Sequence, residues 1–325
     1  MSSRQPLTRH RQPRQQLSAR GAGAGAPTAG VEALRAFVAA HAPLCVLTGA
    51  GLSAASGIPT YRDAGGSWQR AAPVQAALFL RSERARRRYW LRSLHGWPAF
   101  AAAVPNAGHA ALVELERRGS VDTVITQNVD GLHRRAGTRA LVELHGCLDT
   151  VACLDCDAVY TRADIQSRLE NMNAGLPAAR LRARPRLPLQ IPRKAFEPVQ
   201  FEQLADGDAQ LADDEHDDVL AQVRVPACSL CGGLLKPRVV FFGDSIAPSV
   251  WLATDAAIAR ARGVLVVGSS LGVYSGLRIC RRAHALGLPV VALNRGWTRA
   301  DDLLRFKVDA DADATLAALL DPPAV

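Results

Sequence analysis

Five short aliphatic runs punctuate the chain: LCVL (44–47), TVIT (123–126), ALVEL (140–144), VLVV (264–267) and PVVAL (289–293). Between them lie helical patterns, beginning at Val31. Strand-like runs that alternate with helices predict an α/β fold: a doubly wound parallel sheet with crossover helices. The residues that follow each run sharpen this. In order they are GAGLS, QNVDG, HGC, GSSLG and NRG, so every run ends in glycine or small polar residues. Ligands of open parallel sheets bind beyond the carboxyl ends of the strands. One or two such endings arise by chance; five predict a nucleotide crevice along a single edge.

The first ending fits the G-x-G-x-x-A form of the phosphate-binding turn, with Gly49, Gly51 and Ala54 directly after a strand. A hydride-transferring dehydrogenase of that type carries an acid about 20 positions on, to hold the ribose hydroxyls. Here that window reads SWQRAAPV (67–74) and has no carboxylate. A dinucleotide is expected, but gripped in another way.

Two segments interrupt the pattern. Residues 59–105 are helical and rich in arginine and aromatics, suiting a small lid, and 149–235 show no sheet-like periodicity. The second holds Cys153 and Cys156 as C-L-D-C, and Cys228 and Cys231 as C-S-L-C. Two such knuckles present four thiolates tetrahedrally to Zn²⁺, and four thiolates leave no open position, so the zinc is expected to be structural. Redox chemistry is the rival, disfavoured because neither pair opens a helix after a strand. Cys45 reads as core, and Cys147 lies near His145 without being placed to pair with it. DGDAQLADDEHDD (206–218) reads as a solvated acidic loop, since it lacks the glycine and terminal glutamate of a calcium loop.

Composition closes off other classes. The net charge of +9 suggests nucleic acid, but five of those charges (Arg4, Arg9, Arg11, Arg14 and Arg20) sit in a polar tail. A body of +4 argues against nucleic-acid binding. No apolar run approaches the ~20 residues that span a bilayer, and seven cysteines without a secretory segment point to a reducing compartment.

Taken together, GAGLSAASGIPTYRD (49–63), TQNVDGLH (126–133), ELHG (143–146), the four cysteines, KPRVVFFGD (236–244), GSSLGVYSG (268–276) and LNRG (293–296) resemble the sirtuin family, in the same order from Val31 onward. RRYWLRSLHGWPAF (87–100) looks most like the class II branch, which includes the mitochondrial lipoamidase type. The resemblance implies an NAD-dependent protein-lysine deacylase with a Rossmann-like domain and a zinc module. The expected division is a disordered basic tail (1–30), the first part of the NAD-binding domain (31–148), the zinc module (149–235) and the second part (236–325).

What the resemblance implies for single residues follows. Gly49, Ala50, Gly51 and Ser53 would meet the pyrophosphate; Gly268, Ser269 and Ser270 would line the opposite side; Asn294, Arg295 and Gly296 would hold the adenosine end, Asn294 replacing the missing acid. Gln127 and Asn128 would position the ribose, with Asn128 also placing a water, and Val129 and Asp130 would bind the nicotinamide carboxamide. Tyr61 and Arg62 would cover the reacting centre. His145 is expected as general base, an imidazole titrating near neutrality at the end of an apolar strand. Val240, Phe241, Phe242, Gly243, Val273 and Tyr274 would clamp an acyl-lysine peptide as an added strand. Tyr89 and Arg92 share one helical turn and would hold an acidic acyl group, against the reading of Arg92 as one charge on a solvated basic helix. The expected partners are acylated-lysine proteins, the expected state a monomer, and the expected location a bacterial cytoplasm or a mitochondrial matrix. Mono-ADP-ribosyl transfer, a zinc-ribbon interaction module on an NAD sensor, and hydride transfer remain as alternatives.

Overall fold

The computed structural model describes residues 25–60, 74–176, 202–203, 209–210 and 217–321. Its centre is a parallel sheet of β1 (Leu44–Thr48), β2 (Val121–Thr126), β3 (Leu141–Glu143), β9 (Gly263–Val267), β10 (Val290–Leu293) and β11 (Phe306–Val308). The strand order is β11-β10-β9-β1-β2-β3, with every neighbouring pair parallel. The runs are continuously apolar because both faces are covered. Leu44, Val46, Leu265, Val267, Val291 and Leu293 pack on one side with α1 (Val31–His41), α5 (Ala107–Arg117) and α11 (Ala312–Ala318). Cys45, Leu47, Val264, Val266, Val290 and Ala292 face α9 (Pro248–Arg260) and α10 (Tyr274–Ala285) on the other. The chain grows from β1 through β2 to β3 in one direction and from β9 to β11 in the other. That reversal beside β1 opens a crevice at the strand ends, where α2 (Ala50–Ser53) and α6 (Leu132–Ala136) begin.

β11 has no counterpart among the five runs. Its middle residue is Lys307, which is nonetheless buried, its ammonium bonded to Asp301 Oδ2 at 3.0 Å and to the Gly296 carbonyl at 3.1 Å. A paired, buried charge gives no apolar signal. Residues 27–29, assigned to the tail by sequence, instead run beside this strand: Lys307 N–H donates to the Pro27 carbonyl and Ala29 N–H to that of Lys307.

The absence of sheet over 149–235 is also corrected. β4 (Gly146–Cys153), β5 (Val159–Thr161) and β8 (Leu235–Val239) form an antiparallel sheet in the order β5-β4-β8. β5 and β8 are short, and Asp149, Pro237 and Arg238 break the alternation of β4 and β8. α7 (Arg162–Met172), the two-residue strands β6 (Glu202–Gln203) and β7 (Ala209–Gln210), and α8 (Asp217–Gln222) complete this part.

The first insertion contributes α3 (Ala76–Arg81) and α4 (Glu83–Ala102), the latter capped by Ser82, whose hydroxyl accepts from Ala85 N–H at 3.2 Å. It shares a core with the small sheet: Phe79, Tyr89 and Trp90 pack with Val151, Ile165, Leu169, Leu235 and Phe241. The Tyr89 ring lies 5.4 Å from Phe79 and 5.2 Å from Phe241. Trp90 is fully buried, so its truncation to alanine would cost about 3–5 kcal/mol.

Candidate active site

The ends of β1 and β9 meet backbone to backbone. Gly51 N–H donates to the Gly268 carbonyl at 2.8 Å, and a Cβ added to Gly51 would stand 2.8 Å from Gly268 Cα. Gly268 itself adopts φ +59°. Glycine at both positions is what lets the two loops touch while leaving a backbone-lined cradle above them. Around it runs a cleft of about 660 Å³, within the range of small-molecule sites.

Most of the expected residues come together on its wall: Gly49, Ala50, Gly51, Gln127, Asn128, Val129, His145, Gly268, Ser269, Ser270, Asn294 and Arg295. Tyr89, Val240, Phe241, Phe242, Gly243, Val273 and Tyr274 line the adjoining part. Others lie elsewhere. Ser53 and Asp130 are buried behind the wall, and Gly296 and Arg92 are outside it. Tyr61 and Arg62 lie outside the described residues, as does most of the acidic loop.

The wall is stiffened from behind. Asn128 Nδ2 donates to the Gly49 carbonyl and to Ser53 Oγ, each at 3.0 Å. Ser53 Oγ in turn donates to Asp130 Oδ2 at 2.7 Å, while Leu132 N–H donates to Asp130 Oδ1 at 2.8 Å. Burial raises the Asp130 carboxyl from its ordinary value, against those two hydrogen bonds. Gln127 Nε2 donates to Ser269 Oγ at 2.8 Å, tying β2 to β9. One level deeper, Thr48 Oγ1 donates to Thr126 Oγ1 at 2.8 Å and meets His133 Nε2 at 2.9 Å; Thr126 Oγ1 also accepts from Asn128 N–H.

His145 is half-buried in the two-residue turn between β3 and β4. Its Nδ1 lies 2.9 Å from the Gln127 carbonyl. A carbonyl only accepts, so Nδ1 carries the proton and Nε2 is the basic atom. Sequence suggests titration near neutrality; surrounding protein instead lowers the pKa, with the Gln127 hydrogen bond acting in opposition. The imidazole is therefore neutral at physiological pH, as a base must be. Its Nε2 is 2.8 Å from Ser275 Oγ.

At the end of the cleft beside β10, Asn294 N–H donates to the Val308 carbonyl and Arg295 pairs with Asp311 at 3.3 Å. Asp311, Asp244 and Ser275 line the cleft without having been singled out by sequence. Asp244 closes the quoted FFGD and Ser275 lies inside the quoted GVYSG, so position in a motif was the available signal. Tyr89 reaches the wall, but Arg92, one turn on, is 5% exposed. The solvated reading of Arg92 is thereby excluded.

The four knuckle cysteines converge. All four Sγ atoms lie within 4.8 Å of one another, with Cys153–Cys231 at 3.5 Å and Cys156–Cys228 at 3.6 Å. A tetrahedron of Zn–S bonds has sulfur–sulfur edges of about 3.8 Å. The Tyr160 hydroxyl, 3.1 Å from Cys228 Sγ, pulls that thiol down to about 6, while Cys231, against the Gly233 N–H, is pushed up to about 12 by the neighbouring thiols, so the case for a metal rests on the convergence of the four sulfurs. The donor set fits Zn²⁺. Cys147 is buried, its thiol pushed up to about 12 chiefly by burial, and Cys45 is core, as expected.

Residues 49–275 match the Sir2 family. The NAD-dependent protein deacetylase of Xanthomonas campestris pv. campestris is 45% identical over 291 residues, 90% of this chain and 91% of that one. The NAD-dependent protein deacylase SIR4 of Monosiga brevicollis is 44% identical over 276 residues, 85% of this chain and 82% of its own. Among solved structures, Sir2 with a p53 peptide and NAD⁺ superposes with a TM-score of 0.66 at 25% identity, covering 90% of this chain and 98% of that one. Among the described residues no helix is long and apolar enough to cross a membrane.

Proposed function

The chain belongs to the Sir2 family, and from that membership and its cleft we propose that it is an NAD-dependent protein-lysine deacylase. The observation that carries the reading is the neutral imidazole of His145, its basic Nε2 turned into a cleft whose far side is the glycine cradle. NAD supplies a glycosidic bond whose cleavage releases nicotinamide and opens a carbon to the acyl oxygen, so the acyl group leaves lysine as O-acyl-ADP-ribose.

The chain's own residues divide the remaining work. Gly49, Ala50 and Gly51, with Gly268, Ser269 and Ser270, accommodate the pyrophosphate; Asn294 and Arg295 take the adenosine end. Asn128, held by Gly49 and Ser53, orients the ribose. Asp130 serves the carboxamide pocket through the Ser53–Asn128 chain rather than from the wall itself. His145 removes a proton from a sugar hydroxyl. The strand segment Val240–Gly243 receives the peptide; Val240 N–H already bonds the His145 carbonyl at 2.9 Å. Tyr61 and Arg62 exclude water, and Tyr89 with Arg92 favours an acidic acyl group. One structural Zn²⁺ is held by Cys153, Cys156, Cys228 and Cys231. The bacterial relatives suit a bacterial cytoplasm, and we read the chain as a monomer of the class II type, divided near residues 148 and 236.

The test is nicotinamide release and peptide mass over acetyl-, succinyl-, glutaryl-, lipoyl- and long-chain acyl-lysine peptides, with His145→Ala beside wild type. Acyl loss in wild type and its near-complete loss in the variant, zinc and fold retained, is the expected result. Intact NAD with every peptide ends the proposal, and protein gaining ADP-ribose instead marks a mono-ADP-ribosyltransferase.

A further inference from the structure

The hydrogen bonding of His145 leaves it no unoccupied nitrogen. Nδ1 donates to the Gln127 carbonyl, and Nε2 faces Ser275 Oγ at 2.8 Å. Since Nε2 is the unprotonated atom, Ser275 is the donor. An imidazole nitrogen has one in-plane lone pair and accepts one good hydrogen bond at a time. A sugar hydroxyl therefore reaches the base only if Ser275 swings away, or through Ser275.

The surroundings favour the second route. Ser275 stands in the first turn of α10, and that turn is pressed onto the residue that holds the other side of the ring. A Cβ on Gly276 would fall 2.6 Å from Gln127 Oε1, so the turn and the Gln127 amide lie in close contact. The Gln127 side chain is in turn bonded to Ser269 and to the Thr48 carbonyl. Gln127, His145 and the Ser275–Gly276 turn thus form one clamp, with the imidazole gripped from both ends. Ser275 is half-buried and lines the cleft. With its proton committed to Nε2, its oxygen presents lone pairs to whatever occupies the cleft.

We propose that the Ser275 hydroxyl relays the proton from the sugar hydroxyl to His145, rather than merely filling space beside it. The sugar O–H bond breaks as a new Ser275 O–H forms; the original Ser275 O–H breaks as Nε2–H forms. Serine ends unchanged and the imidazole ends as imidazolium, so the step needs no further reactant. It rests on His145 being the general base.

The experiment compares full-length wild type, Ser275→Ala, Ser275→Thr and His145→Ala. In the ligand-free protein the ¹⁵N NMR signals of the His145 ring report the hydrogen bond directly: Nε2 should move toward the unbonded position in Ser275→Ala and return in Ser275→Thr. In single turnover with NAD and an acyl-lysine peptide, Ser275→Ala should lose on the order of tenfold to a hundredfold in rate, with KM for NAD within about twofold, a factor worth under half a kcal/mol. Ser275→Thr should recover most of it. An unmoved Nε2 signal, a full rate in Ser275→Ala, or equal losses in the alanine and threonine variants each overturns the relay. A wild type no faster than His145→Ala sinks the deacylase reading and the relay with it, whereas an active wild type matched by Ser275→Ala removes the relay alone.

Discussion

Two histidines that take no part in the chemistry set a limit on the acid stability of the protein. His109 is 0% and His133 1% exposed, their rings 4.8 Å apart. Thr48 gives its proton to Thr126, so His133 Nε2 donates to Thr48 and its Nδ1 is bare. His109 Nδ1 donates to Asn106 Oδ1 at 2.7 Å, leaving Nε2 bare. Neither bare nitrogen has a partner among the described residues, so an added proton finds no acceptor. Burial holds His109 at about 4, with Arg135 pushing the same way, and His133 at about 3, with His109 adding to it. In the unfolded chain both titrate near ~6.5. Below that value the unfolded chain binds more protons than the native one, so stability falls with pH down to the native pKa values. Between about pH 7.5 and about pH 5 each histidine should remove about 2 kcal/mol, together a large share of the ~5–15 kcal/mol that holds a protein folded. Urea unfolding at the two pH values, for wild type and for the His109→Gln, His133→Gln double variant, measures this. Asp130 acts in the opposite sense but is common to both proteins and cancels. The variant should lose about 4 kcal/mol less than wild type on acidification. Equal pH dependence in the two would refute the reasoning, whatever their absolute stabilities.

Because burial lowers the pKa of His145 below 6.5, the acid limb of kcat/KM should fall below that value; a limb above it would mean that another group is the base. Cys153→Ser should abolish binding of about one zinc per chain and yield misfolded protein, read by metal analysis and circular dichroism; a folded, active variant would remove zinc from the account. Arg92→Met should cost succinyl- or glutaryl-lysine turnover about tenfold or more relative to acetyl-lysine, the value of one charged hydrogen bond. Equal losses on all three would leave Arg92 a packing residue.

What could be read in advance was whatever the chain must spell out locally. Strands buried on both faces are apolar throughout, and a crevice at their ends needs glycine and small polar residues, so β1, β2, β9 and β10 and the cradle were visible as letters. The cysteine knuckles were visible because metal geometry fixes their spacing. What escaped depended on pairing across long distances. Lys307 makes β11 look polar because its partner Asp301 is not part of the strand. The apolar residues of the β5-β4-β8 sheet find their partners on α3, α4 and α7, far from them in sequence. Arg92 in a run of arginines looks like a surface charge until the helix is seen to be packed on that side. Ser275 carries no mark beyond its place in GVYSG until His145 stands next to it.

β4 begins at Gly146, immediately after His145, and ends at Cys153, one of the four knuckle cysteines. β8 returns from the second knuckle to Val240, which grips the His145 backbone. Two rods of polypeptide thus anchor the His145 imidazole to the four knuckle sulfurs, and slack at one end is felt at the other. With Zn²⁺ held there as proposed, chelating agents should silence the enzyme through the fold, and inhibition by them would say nothing about a metal-assisted reaction.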